Sequence, residues 1–381
     1  MKNKINILLI SPFFFPTNTY QQELCKKIKE ISKDIQIEVL CYQTIKKVPK
    51  RFGSLKIHSV PCFNILKEQF ALPNYFLLFK TLKKIKKEKN INLLMTETRF
   101  FESAWWLPFL AKKWQIPSII IEHCASSIKH NFLFIRILGK ILDKIILKFI
   151  LNRYPVVACS NKAVFEYLSR AKVKNLRFIG TGVDINFFNP FKRKKYEGKL
   201  RITFASRLLP TKGVDLFYRS IKPLLNKYPQ VKFTIAGYGP MFQKIKKEIF
   251  NDGNEGRVEL TGGLSRKKMA QLYADTDIFV YPSFHHDGVP NVLLEAGASG
   301  CAVISSKSGG SAEIIKNQET GILLDDLTEE EIKEAIESLI NDKEKRIRLA
   351  AGLRDLIIKN YQWSFVAQKI KDIIFTVVVP L

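Results

Sequence analysis

The stretch Ala205-Ser-Arg-Leu-Leu-Pro-Thr-Lys-Gly213 holds two cations directly after an apolar run of strand character. Pro210 interrupts helical continuity, so Arg207 and Lys212 share a strand-end loop and can converge on one anion. Two fixed cations would bind a diphosphate by charge-assisted hydrogen bonds and stabilise it as a leaving group. Taken alone, the loop reads more readily as a solvated turn. A second stretch runs Tyr281-Pro-Ser-Phe-His-His-Asp-Gly-Val-Pro-Asn-Val-Leu-Leu-Glu295-Ala-Gly-Ala-Ser-Gly300. Pro290 suits a first helical position, so the segment Gly288, Val289, Pro290, Asn291 would offer free backbone N–H groups to a phosphate. Asp287 lies at the mouth of that helix and Glu295 in its second turn. Ala296, Gly297, Ala298 and Gly300 are small enough for a ligand, or a packed element, to approach closely.

Other chemistries fit less well. Gly237 and Gly239 begin a dinucleotide-type turn, but the third glycine position of GxGxxG is Phe242, and GxxxxGK[ST] occurs nowhere. A nicotinamide dehydrogenase and a P-loop ATPase are therefore set aside. His285-His286-Asp287 invites a metal, yet adjacent histidines do not aim at one ion and no further His/Cys cluster lies nearby, so no metal is expected. Six scattered cysteines without a CxxC pair form neither a disulfide framework nor a zinc site.

The elements that must carry these residues follow from apolar periodicity. Ile5–Ile10, Ile35–Cys41, Lys56–Val60, Ile91–Thr96, Ser118–Glu122 and Val156–Cys159 read as strands, several of them nearly continuous runs of Ile, Leu and Val. Such runs suit a parallel sheet buried on both faces. Helical patterns lie between them, at Glu23–Ser32 and Tyr75–Lys89. The alternation restarts with Leu200–Ala205, Val231–Ala236, Val258–Leu260, Ile278–Tyr281 and Ala302–Ser305. The prediction is an α/β chain of two Rossmann-like, doubly wound domains facing a central cleft. The first spans 1–188 and the second 189–362, joined near the polar stretch Asn189–Lys199, with the C-terminal segment 363–381 (a helix from Trp363) packing back on the first.

With these pieces in order, the chain resembles the family 4 retaining glycosyltransferases of GT-B fold. The matching segments are Thr181-Gly-Val-Asp184, Arg207 with Lys212-Gly213, Gly237-Tyr-Gly-Pro240, Pro282-Ser283, Asp287 with Glu295, and Ser308-Gly-Gly-Ser-Ala-Glu313. The resemblance implies that Arg207 and Lys212 hold the diphosphate of a nucleotide-sugar donor, UDP- or GDP-linked, and that Gly237 and Gly239 also belong to the donor site. It implies that Glu295 takes the ribose hydroxyls, and that Asp287 and the backbone after it face the transferred sugar. It also places His123, after Glu122, near the reacting sugar, whereas the residues alone read as readily as a packed core histidine. Ser160 matches a family serine that serves the fold. Two departures stand out: Asp287 occupies a position where Glu is usual, and Asn18-Thr19 replaces a glycine pair after the first strand. No cofactor beyond the donor substrate is implied.

Net charge bears on partners. The chain carries 62 Lys+Arg against 35 Asp+Glu, +27 overall. Residues 1–180 hold 32 against 11, a balance of +21, while 181–381 hold 30 against 24, a balance of +6. The predominance of Lys fits a compositional bias, but one bias cannot produce the asymmetry. Within 128–153, Arg136, Lys140, Lys144 and Lys148 recur every four residues on an otherwise apolar helix. Such a helix either lies in an anionic membrane interface or packs on the sheet with a solvated lysine edge. No nucleic-acid motif accompanies the basic surface. Cytoplasmic localisation, against the inner membrane, and a lipid-linked or saccharide acceptor in polysaccharide or lipopolysaccharide assembly are the expectations. A nonhydrolysing nucleotide-sugar epimerase and a catalytically silent binding subunit are the alternatives.

Overall fold

The computed structural model describes residues 4–15, 19–65, 70–125, 133–193, 199–284 and 288–378, with the backbone alone at 19, 70 and 133–136. The chain divides into two compact units: Met1–Thr181 together with Trp363–Leu381, and Gly182–Gln362.

The first unit is built on strands β1 (Ile5–Ile10), β2 (Ile35–Tyr42), β3 (Arg51–Phe52), β4 (Leu55–Val60), β5 (Cys62–Ile65), β6 (Phe70–Pro73), β7 (Leu93–Glu97), β8 (Ser118–Glu122), β9 (Val156–Cys159) and β10 (Leu176–Phe178). Eight of them form one sheet in the order β10-β9-β8-β7-β1-β2-β4-β3, parallel throughout except for the β3–β4 pair. β5 and β6 make a separate antiparallel hairpin. Period-two alternation divides the apolar runs between two faces. Ile7 and Leu9 point into a core closed by the helices Thr19–Ile31 and Trp363–Val378. Leu8 and Ile10 point to the other side, under the helices Tyr75–Glu88 and Ser103–Trp114 and the segment Leu133–Arg153. The C-terminal helix buries Trp363, Val366, Ala367, Ile370 and Ile374, one helical stripe.

The second unit carries β11 (Arg201–Ala205), β12 (Lys232–Ala236), β13 (Val258–Gly262), β14 (Ile278–Tyr281), β15 (Ala302–Ser306) and β16 (Ile322–Leu324). Its sheet is wholly parallel, in the order β13-β12-β11-β14-β15-β16. The first and fourth strands of this unit are thus neighbours, the arrangement of a doubly wound dinucleotide-type sheet. Between them the order reverses, and ligands of such sheets bind in the crevice beyond the strands' carboxyl ends at that point.

The division between units falls after Thr181 rather than after 188. Val183 donates its N–H to the Tyr361 carbonyl (2.8 Å), and the Asp184 carboxylate accepts the N–H groups of Asn186 and Phe187. Phe188 then packs in the second unit's core beside Tyr273. Among the described residues no helix is long and apolar enough to cross a membrane.

Candidate active site

In the second unit the loops after β11 and β14 flank the point of strand-order reversal, and both carry residues singled out above. After β11 the chain turns through Ser206–Leu209 into a short 3-10 turn, Pro210–Lys212. Arg207 is exposed, whereas Lys212 is only 7% exposed, with its ammonium 5.9 Å from the centroid of the Tyr281 ring. A cation held in so little water interacts strongly with any anion that reaches it.

Glycines set this loop in place. Gly237 (φ +139°) and Gly239 (φ +159°) follow β12. A Cβ on Gly237 would stand 1.8 Å from the Ser206 carbonyl oxygen, and one on Gly239 2.6 Å from that of Leu208. Both glycines therefore let the β12 loop lie flat against the Arg207 loop. Gly213 (φ +73°) does the same on the other side, where a Cβ would meet the Pro282 carbonyl oxygen at 2.1 Å. There Phe284 N–H donates to the Thr211 carbonyl (2.9 Å) and Ser283 Oγ to the same oxygen (3.3 Å). The β15 loop joins the cluster: Ser306 Oγ and Ser308 Oγ both donate to the Ser283 carbonyl, and Gly310 lies against the backbone of Gly288 and Val289. Four strand-end loops are knitted together around Arg207, Lys212 and the Gly288–Asn291 segment.

The following helix is Asn291–Ala298, so Pro290 stands one residue ahead of it in extended conformation, not at its first position. Glu295 projects from its second turn. Burial pushes the Glu295 carboxyl up to about 7, with Arg266 and the Tyr273 hydroxyl acting in the opposite sense. Gly297 makes no room for a ligand: its Cβ would lie 2.5 Å from Ile357 Cδ1 and 2.7 Å from Leu353, both on the helix Lys343–Asn360. Close helix–helix packing explains that glycine. Asp287 and the His285-His286 pair lie outside the described residues, as does Asn18; of Thr19 only the backbone is described. No group of three metal-ligating side chains occurs among the described residues.

The first unit has its own strand-end cluster. Its order reverses between β1 and β7, and Ser11 Oγ, after β1, donates to the Glu97 carboxylate at the end of β7. His123 follows β8, its Nε2 4.0 Å from Glu97 Oε2 and its ring edge-on to Tyr20 (4.4 Å between centroids). That nitrogen is buried with no hydrogen bond among the described residues. Burial pulls the His123 pKa down to about 4, against the opposing Glu122 charge, so the ring is neutral at physiological pH. Its turn is set by Glu122, which is wholly buried and accepts the N–H groups of Arg99 (2.8 Å), His123 (3.1 Å) and Cys124 (3.1 Å).

Glu122 is paired in turn with Arg99 (3.2 Å), whose Nε donates to Asp143 (2.7 Å); Tyr167 OH donates to the second Asp143 oxygen (2.9 Å). Arg99 is 0% exposed and Asp143 2%. Buried charges persist only when paired and hydrogen-bonded, and this triad meets both conditions. Sequence reasoning reached Glu122 and His123 but missed Tyr20, Glu97, Arg99 and Asp143. A signal existed for the last: Asp143 is the lone acid in the basic segment 128–153. Ser160 is buried, donates its N–H to the Glu122 carbonyl (3.1 Å) and accepts from Asn161, which caps the helix Lys162–Arg170.

This architecture and these strand-end loops have known counterparts. The model of the family "Glycosyl transferases group 1" matches residues 186–355, and that of "Glycosyltransferase Family 4" matches residues 17–187. An uncharacterized glycosyltransferase of Methanocaldococcus jannaschii is 26% identical over 391 residues, covering 97% of this chain and 98% of that protein. The GPI3 subunit of the Saccharomyces cerevisiae phosphatidylinositol N-acetylglucosaminyltransferase is 23% identical over 381 residues, covering 97% of this chain and 82% of its own. Among solved structures, Anabaena HepE in complex with UDP and glucose superposes with a TM-score of 0.72 at 17% identity, over 97% of this chain and 99% of that one. The chain belongs to the family 4, group 1 glycosyltransferases and has the GT-B fold.

Proposed function

We propose that the chain moves a sugar from a UDP- or GDP-linked donor to a saccharide or lipid-linked acceptor, with retention of anomeric configuration and without a metal. The observation that carries the reading is the placement of Arg207 and buried Lys212 on the loop beyond β11, beside the point where strand order reverses. A diphosphate seated there would meet two cations and the helix start at Asn291. HepE, solved with UDP and glucose, supports a nucleotide sugar as donor. The name of the yeast relative, which specifies phosphatidylinositol, supports a lipid-carried acceptor.

The reaction on this reading is a front-face displacement. The bond from the anomeric carbon to the diphosphate oxygen breaks as the acceptor oxygen bonds to the same face. The departing phosphate takes the acceptor's proton. Arg207 and Lys212 stabilise the negative charge that grows on the leaving group. A double displacement would need a carboxylate nucleophile about 5 Å from a second carboxyl group, and the resemblance supplies no residue for that part. Asp287 and the backbone of Gly288 and Val289 belong to the sugar side of the donor, Glu295 to its ribose, and His123 to the reacting sugar.

The test is transfer and donor hydrolysis across a panel of nucleotide sugars. Lys212→Ala should lower kcat by on the order of 10²-fold with the fold intact, and EDTA should leave turnover unchanged. Near-normal turnover of the variant would overturn the role of Lys212. Donor binding without any turnover would identify a silent binding subunit, and interconversion of free nucleotide sugars an epimerase.

A further inference from the structure

In the first unit, the helix Leu133–Ile145 and the π-type turn Ile146–Ile150 that continues it divide into three stripes. Gly139, Asp143, Ile146 and Leu147 face inward. Lys140, Lys144 and Lys148 form an exposed line four residues apart. Ile137, Ile141, Ile145 and Phe149 form a second exposed line beside it, 49%, 52%, 46% and 54% exposed. Residues four apart are neighbours on a helix surface, so these side chains make a continuous apolar ridge, which Leu138 (54% exposed) widens. Single exposed apolar residues need no explanation, but a contiguous strip does.

The ridge has company. Phe109, 48% exposed on the neighbouring helix Ser103–Trp114, lies under the Arg153 guanidinium (4.9 Å). Phe76, 76% exposed, stands on the helix Tyr75–Glu88, whose outward lysines add to the same sign of charge. The one acid of the stripe-bearing segment, Asp143, is consumed by Arg99. The surface is therefore apolar and cationic together, with no carboxylate among the described residues of that segment left facing water.

We propose that this face seats on the surface of an anionic lipid bilayer, the apolar ridge entering the acyl boundary and the lysine line meeting the headgroups. Lysine stems extend along apolar surface while their ammonium groups reach charge, and an interfacial helix needs both kinds of stripe. A nucleic acid would satisfy the lysines and leave the ridge in water. A second copy of the chain, paired about a two-fold axis, would bury the ridge but bring both lysine lines into one interface. An anionic bilayer satisfies the two stripes at once.

The binding requires no turnover, so it can be tested apart from glycosyl transfer. Full-length protein is sedimented with vesicles of phosphatidylcholine alone and of phosphatidylcholine with phosphatidylglycerol. Binding should favour the anionic vesicles and weaken as salt is raised. The variant Lys140→Gln/Lys144→Gln/Lys148→Gln should bind them more weakly by on the order of a hundredfold, at about 1 kcal/mol per cation. Ile141→Ser/Phe149→Ser should bind both vesicle types less, with an unchanged thermal transition, since both side chains already face solvent. Equal affinity for neutral and anionic vesicles, or binding untouched by the serine variant, would overturn the proposal. So would a concentration-dependent dimer that the serine variant abolishes, because the ridge would then belong to a second copy.

Discussion

At the scale of single residues, the two units handle buried charge in opposite ways. Around Glu295 the loss of water outweighs the opposing Arg266 charge and Tyr273 hydroxyl, and its pKa rises to about 7 from a usual 4.5. The folded carboxyl therefore keeps a proton that the unfolded chain releases, so this group costs stability as pH climbs from about 4.5 through about 7. If Glu295 receives the ribose hydroxyls as proposed, its ionised form is the stronger acceptor, so UDP should bind more tightly at pH 8 than at pH 6. Calorimetric titration at both pH values checks this, and Glu295→Gln should remove the part of the dependence that the side chain carries. Arg99, by contrast, sits between Glu122 and Asp143 with every charge answered. Arg99→Met would strand two buried carboxylates and should cost about 3–5 kcal/mol, read from the urea midpoint. The pairing of Arg99 with Asp143 was not legible in the sequence. Arg99 and Asp143 are 44 positions apart, and nothing local marks a surface-type residue as buried until the fold brings its partner. Lys212 is the same case: its position on a strand-end loop follows from Pro210, but its burial comes from the β14 loop, seventy residues on.

At the scale of elements, legibility followed length and contrast. β1, β8, β9 and β14 have the bounds their apolar runs predict, because each run is closed by polar or turn residues. β10 and β16, three residues each, are too short to show a period. The helix expected from Glu23 begins at Thr19, and β7 begins at Leu93 rather than Ile91 because Asn92 is tied to β1 through Asn6. The glycines of the second unit were legible as a pattern but not as a purpose. From the resemblance Gly237 and Gly239 read as donor contacts; the structure shows them seating one loop on another. Gly237→Ala should therefore displace the Arg207 loop, cost about 1–3 kcal/mol and weaken UDP binding at least about tenfold. Gly253 supplies the control, since its φ is also positive (+65°) but no atom lies within 4 Å of its would-be Cβ. Gly253→Ala should lose a little stability and leave binding unchanged. Equal effects of the two substitutions on affinity would refute the seating role.

At the scale of the whole molecule, the two-domain α/β plan was legible from the restart of strand–helix alternation after residue 199, and the family match covers 17–187 and 186–355 in turn. The boundary was not, because the polar run that looks like a linker follows a turn already fastened to the second unit by Val183 and Asp184. The first unit is discontinuous in sequence: its last helix, Trp363–Val378, arrives after the whole second unit. Ending the chain after Gln362 would expose the pocket vacated by Trp363, Val366, Ile370 and Ile374, at about 1.5–3 kcal/mol for each large side chain. Limited proteolysis of that truncation should digest the first unit while a fragment near 182–362 survives. Equal resistance of both units would count against a structural role for the helix. The same connectivity sets an order of events during synthesis. On the ribosome, the second unit has all of its residues in hand while the first still lacks a wall of its core. The first unit must wait, with an unfinished apolar face, until the helix Trp363–Val378 has left the exit tunnel. Stalled or prematurely terminated chains would therefore be the forms most in need of chaperones.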